Sequence, residues 1–294
     1  MDRTKIIAAL IALSAAALLL DACSGAKHAI RVGSKNFTEQ VVLGEIIAQQ
    51  IENRLHLPVE RSLNLGGTLL AHQALINGQI DLYPEYTGTA LSAVLKDPIN
   101  TDPATVRERV RSEYARRYQV AWLDPLGIDN GFAMVVRASV KPSTLTAAAA
   151  ESPSGGWNLG VGYEFEQRAD GLEALKKTYG LRFSTLKTMD LGLLYQALEN
   201  GQVSMIAANA TDGLLSKGDL KVLTDDRHAF PPYEIGIAVR DAALRETPGL
   251  RDALAELSAK FTNAKMQQLN FQVDVRHAPV AQVAQDFLKQ AGLK

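Results

Sequence analysis

Cys23 is the only cysteine in the 294-residue chain, so no intramolecular disulfide can staple the fold. Charge of one sign is also missing. Net charge is −1, and without a concentrated basic surface there is no reason to expect nucleic-acid binding. The five histidines, His28, His56, His72, His228 and His277, are scattered without the spacing of a metal site. No Gly-x-Ser-x-Gly, HExxH or P-loop pattern appears. The chain is therefore expected to be neither an enzyme nor the holder of a cofactor. Aromatic residues make up only 6% of the sequence, while its hydrophobic content of 47% is that of an ordinary core. Where the few aromatic rings fall is accordingly informative.

The N-terminus reads as a targeting segment. Arg3 and Lys5 precede Ile6 to Leu20, 15 residues that are apolar except for Ser14. A bilayer span needs about 20 residues, and a shorter run of this kind fits a signal-peptide core. It ends in Leu20-Asp21-Ala22-Cys23, where Leu at −3 and Ala at −1 resemble a bacterial lipobox and Asp21 at −2 departs from it. The expectation is a signal peptide over residues 1–22 and a lipid on Cys23. The mature chain of 272 residues (294 − 22) would be periplasmic or at the cell surface, anchored through that lipid. Such a length suits one large or two medium domains.

Self-similarity is the strongest organisational signal. Gln73-Ala-Leu-Ile-Asn-Gly-Gln79 recurs as Gln196-Ala-Leu-Glu-Asn-Gly-Gln202. In each copy a helix runs into Asn-Gly, where glycine takes the left-handed C-terminal position, and a short apolar strand and a polar turn follow. Upstream, Ile30-Arg-Val-Gly-Ser-Lys-Asn-Phe-Thr-Glu-Gln40 and Leu159-Gly-Val-Gly-Tyr-Glu-Phe-Glu-Gln167 each read as a glycine-marked strand end and then a helix. Alternating strands and helices indicate α/β units, and a duplicated unit indicates two sheets. Ligands of such sheets sit beyond the carboxyl ends of the strands, so two facing lobes place these loops around one cleft. Phe132–Arg137 and Tyr233–Arg240 are the expected crossing strands. The predicted division is 28–130 and 238–294 for lobe 1 and 131–237 for lobe 2. Ala147 to Trp157 reads as a surface connection. From Pro248 onward, the spacing of Leu250, Leu254, Leu257 and Phe261 predicts helices packing back on lobe 1.

Gly33-Ser-Lys-Asn-Phe-Thr-Glu-Gln40, Asp81-Leu-Tyr-Pro-Glu-Tyr-Thr-Gly-Thr89, Thr211-Asp-Gly213, Phe230-Pro-Pro-Tyr233 and Leu269-Asn-Phe-Gln-Val-Asp274 occur in the order seen in glycine betaine/choline-type binding proteins of ABC importers. The chain resembles that family from about residue 30 to about 275. The resemblance implies an α/β, two-lobed type II periplasmic-binding-protein fold with the ligand cleft between the lobes. It also implies a monomer that delivers a betaine or other quaternary ammonium compound to a membrane permease and its ATPase. Alternatives are a larger trimethylammonium solute, such as carnitine or an ergothioneine-like betaine, or a ligand-sensing role in place of transport.

A quaternary ammonium has no proton to donate, so aromatic faces rather than hydrogen bonds hold it. The family comparison implies Tyr86 and Tyr233 as box tyrosines, with Phe132 and Asn209 standing where the family has tyrosine. Asn209 is also the repeat counterpart of Tyr86, each lying 13 residues after its glutamine. For a ligand carboxylate the match implies Lys35, Thr89 and Arg168. Tyr83 and Tyr195 read as half-buried packing residues. Asn36, Gln40 and Asn130 read as cleft-lining or turn residues, and Asp212 as the cap of a helix beginning at Gly213.

Overall fold

The computed structural model describes residues 29–293. The signal-peptide and lipidation expectations fall on residues 1–23, outside the described residues. Among the described residues no helix is long and apolar enough to cross a membrane.

Two five-stranded mixed sheets form the two lobes. The first has the order β2-β1-β3-β10-β4 and the second β7-β6-β8-β5-β9. In the first sheet β1 (Ile30–Gly33) pairs in parallel with β2 (Val59–Ser62) and β3 (Leu82–Tyr86). There β10 (Ile235–Arg240) runs antiparallel to β3 and to β4 (Val120–Trp122). The second sheet repeats the plan. Its β6 (Trp157–Val161) is parallel to β7 (Phe183–Thr188) and β8 (Met205–Asn209). Its β5 (Phe132–Arg137) is antiparallel to β8 and to β9 (Leu220–Leu223). Each lobe thus receives one antiparallel strand from chain arriving out of the other. Because β10 pairs in the first sheet from Ile235 onward, the return crossing lies upstream of the 237/238 boundary expected from sequence.

Central strands are buried on both faces and read as nearly unbroken apolar runs. All of β3 and the first five residues of β10 are buried. The Thr38–Leu55 helix turns Val42, Leu43, Ile46, Ile47 and Ile51 inward at helical spacing. C-terminal helices pack on it as expected, and Phe287 of the Val280–Gln290 helix stacks on Phe261 with ring centroids 4.3 Å apart.

The repeat holds bond by bond. The Thr68–Ile76 and Leu191–Glu199 helices end at Asn77 and Asn200, followed by Gly78 and Gly201 at φ 69° and 70°. The Gln79 and Gln202 amides donate back to the Ala74 and Ala197 carbonyls at 2.8 and 2.9 Å. One sequence expectation is overturned. Leu145–Ala150 is a helix capped by Thr144, and Trp157 opens β6 fully packed at 3% exposure, so Ala147 to Trp157 is no plain surface connection. Apolar Leu145 and Ala148, both buried, supply the inward face that the small-residue composition obscured.

Candidate functional site

The carboxyl ends of β1, β3, β6 and β8 face one cleft of about 710 Å³ between the lobes, a size usual for small-molecule sites. All seven candidate residues, Lys35, Tyr86, Thr89, Phe132, Arg168, Asn209 and Tyr233, line it. Asn36 and Asn130 line it as well, whereas Gln40 lies behind, its side-chain oxygen accepting from the Lys35 backbone N–H at 3.1 Å.

Tyr86 ends β3 and is held by Glu39, to which its hydroxyl donates at 2.7 Å. Glu39 is 2% exposed and also accepts from Asn130 Nδ2 (2.8 Å) and Thr211 Oγ1 (2.5 Å). Burial raises its pKa, and these three bonds partly offset that rise. One carboxylate therefore ties lobe 1, the first crossing and lobe 2 together while fixing a cleft tyrosine. Tyr233 donates to Asp170 Oδ2 at 2.8 Å, and Phe132 packs edge-on against Phe165 and Tyr233 at 4.8 and 5.4 Å. Phe37 stacks on Tyr86 at 6.2 Å.

Both candidate cations are already paired within their own lobes. Lys35 Nζ lies 2.6 Å from Glu85 Oε1 and 4.3 Å from the Tyr86 ring centre. Arg168 forms a two-pronged pair with Asp170 at 2.9 and 2.5 Å, with its guanidinium 5.1 Å from the Phe132 ring and 5.8 Å from that of Tyr233. A ligand carboxylate would have to share either cation. The residues lining the cleft carry four carboxylates, Glu164, Asp190, Asp212 and Asp274, against these two cations, so its field favours a positive guest.

Asp212 corrects the sequence reading. It precedes the Gly213–Ser216 turn, but its side chain makes no cap bond to it. Its side chain turns back to accept from the Asn209 backbone N–H (3.1 Å) and the Tyr195 hydroxyl (2.9 Å). Tyr195, expected only to pack, is buried at 5% exposure yet lines the cleft. Tyr83 is fully buried, with its hydroxyl on Glu85. Sequence reasoning also missed Glu39, Glu164 and Asp170 as parts of the site. Glu39 sits inside the Gly33–Gln40 motif and Glu164 inside its repeat counterpart Leu159–Gln167, which were usable signals; Asp170 lies in no comparable pattern.

The lobes also touch across the cleft lining. Glu164 of lobe 2 accepts from the Thr68 backbone N–H (2.5 Å) and hydroxyl (2.9 Å) of lobe 1. Burial raises its pKa, but the Lys35 and Arg168 charges and the Thr68 bonds outweigh that and leave it lowered.

Known proteins resemble the chain throughout. The family described as the substrate binding domain of ABC-type glycine betaine transport systems matches residues 28–290. An ergothioneine transport permease/ergothioneine binding protein of Helicobacter pylori is 34% identical over 89% of this chain, which spans about half (47%) of that relative's length. The carnitine transport binding protein of Listeria monocytogenes is 31% identical over 95% of this chain and 94% of its own. A solved glycine betaine/carnitine/choline ABC transporter structure superposes with a TM-score of 0.75 at 29% identity, covering 90% of this chain and 99% of the other.

Proposed function

Because the chain belongs to the family of substrate-binding domains of ABC-type glycine betaine transport systems, we propose that its cleft captures a betaine-type quaternary ammonium compound and passes it to a permease coupled to an ATPase. The site is extracytoplasmic, as in its family. In this reading Cys23 carries the lipid anchor, and the protein binds its ligand without turning it over. One observation carries the reading: aromatic rings of both lobes meet in a cleft whose lining carboxylates outnumber its cations two to one. A trimethylammonium group gains from ring faces and from the negative field, and it leaves no donor unpaired.

Lys35, Thr89 and Arg168 take the polar end of the ligand. The two cations serve as shared partners, because Glu85 and Asp170 already bond them. Asn209 stands in place of a tyrosine and leaves room for a guest larger than glycine betaine.

The test is calorimetry of glycine betaine, choline, carnitine and ergothioneine against the wild type and Asn209→Tyr. At least one compound is expected to bind the wild type. The added ring should tighten glycine betaine by about 0.5–2 kcal/mol and weaken the larger guests. If none of the four binds the folded protein, the ligand class is wrong. If Asn209→Tyr leaves every affinity unchanged, Asn209 has no role in binding.

A further inference from the structure

We propose that Glu164 is a latch: by capping the Thr68–Ile76 helix of the opposite lobe, it holds the cleft shut and sets how long a ligand stays. The proposal needs no particular ligand and goes beyond the binding role above.

A helix N-terminus leaves backbone N–H groups without partners, and a Ser, Thr, Asp or Asn at the cap position normally satisfies one of them. Here the cap position is Gly67, which has no side chain, and no residue of its own segment provides a cap bond. The missing acceptor comes from the other lobe. One oxygen of Glu164 takes the Thr68 N–H and the other takes the Thr68 hydroxyl. The negative carboxylate also lies at the positive end of the helix dipole.

Gly67 is shaped for this arrival. A Cβ placed there would stand 2.6 Å from Glu164 Oε1. Its φ of −75° is open to any residue, but a side chain at this position would meet the Glu164 carboxylate and make it shift.

The latch is wired into the cleft on both sides. Arg168 Nη1 lies 3.4 Å from Glu164 Oε2 while its other nitrogens hold Asp170. Lys35 Nζ lies 3.4 Å from Thr68 Oγ1 and 2.6 Å from Glu85. An unbroken polar chain thus runs from Glu85 through Lys35, Thr68, Glu164, Arg168 and Asp170 to the Tyr233 hydroxyl. When the lobes part, the link between Thr68 and Glu164 is the one that breaks along this chain up to Asp170, because the other bonds of that stretch lie within one lobe.

The test reads lobe separation and release separately. Spin labels at Glu108→Cys on lobe 1 and Lys187→Cys on lobe 2, in a Cys23→Ser background, report the distance between lobes by pulsed resonance. The wild type should show a short population at the latched separation, and Glu164→Ala should shift it to longer distances. In stopped-flow with choline and glycine betaine, Glu164→Ala should release a bound ligand about 10-fold to 100-fold faster, the range of a charge-assisted hydrogen bond. Gly67→Asp added to Glu164→Ala gives the helix a local cap. It should restore helix stability and leave release fast, separating the latch from simple helix support. A wild-type distribution without the short population, or one unchanged in Glu164→Ala, overturns the latch. So does release returning to the wild-type rate in the Gly67→Asp double variant. The distance arm decides even where neither choline nor glycine betaine binds, so failure of the ligand assignment and failure of the latch are distinct results.

Discussion

Two groups, the half-buried Asp212 and the buried His72, titrate in opposite senses over the same range of pH. Burial pushes the Asp212 carboxyl from 3.8 up to about 6, against the bonds it accepts from Asn209 and Tyr195. Burial beside Tyr114 and Tyr118 pushes His72 from 6.5 down to about 4. A raised folded-state pKa contributes stability that is complete below 3.8 and lost as pH rises through about 6. The lowered histidine value does the reverse: its contribution is present above 6.5 and lost as pH falls through about 4. Each effect is worth roughly 3 kcal/mol across the window. Urea unfolding at pH 4, 5.5 and 7 should show Asp212→Asn gaining on the wild type as pH rises. His72→Phe should gain on it as pH falls. A variant whose stability parallels the wild type at all three values removes its residue from this account. Neither shift was legible in the residues, because a pKa is set by what surrounds the group. Asp212 before a glycine reads as a helix cap, and only the position of Tyr195 and the Asn209 amide turns its side chain the other way.

The repeated helix-turn-strand unit is where local sequence speaks most directly. Asn-Gly ends both helices because the left-handed φ of Gly78 and Gly201 costs a residue with a Cβ about 1–2 kcal/mol. In both lobes that glycine also packs on an arginine at the end of the crossing strand. A Cβ would come 3.2 Å from the Arg240 guanidinium at Gly78 and 3.1 Å from that of Arg137 at Gly201. The copies diverge where the chain does. Arg240 pairs with Asp81 at 2.9 Å, whereas position 204 in the second copy is serine, and Arg137 donates to the Leu198 and Glu199 carbonyls instead. Gly78→Ala and Gly201→Ala should therefore each lower unfolding stability by about 1–2 kcal/mol. Lying in different lobes, their effects should add within about 0.5 kcal/mol. Gly192→Ala, whose new methyl group would meet nothing within 4 Å beyond its chain neighbours and its own helix backbone, should be neutral or stabilising in the same denaturant titration. Unequal costs at Gly78 and Gly201 would show that the two turns are not equivalent.

For the molecule as a whole, the proposed delivery to a permease calls for retention at the membrane, and the Leu20–Cys23 segment supplies the expected means. Expressed with its full N-terminus in a bacterium, the protein should fractionate with membranes and carry acyl mass on Cys23. Cys23→Ser should release it or stall its processing. A mature N-terminus elsewhere, without added acyl mass, contradicts the anchor. Periodicity, glycine placement and the internal repeat were sufficient for two α/β lobes with strand ends around one cleft, because helix stops, strand alternation and turns follow from neighbours in the chain. Which groups meet across that cleft depended on tertiary approach. Glu39 reaches Thr211 and Glu164 reaches Thr68 over sequence separations of 172 and 96 residues, which no local pattern encodes. Within each lobe, packing also decided which charges pair beside the cleft. Lys35 and Arg168 read along the chain as residues for a ligand carboxylate; the fold sets Glu85 beside Lys35 from 50 residues away, whereas Asp170 is a chain neighbour of Arg168. Taking a lysine or arginine out of water calls for a nearby opposite charge, so both proposed ligand anchors are shared with carboxylates of their own lobes.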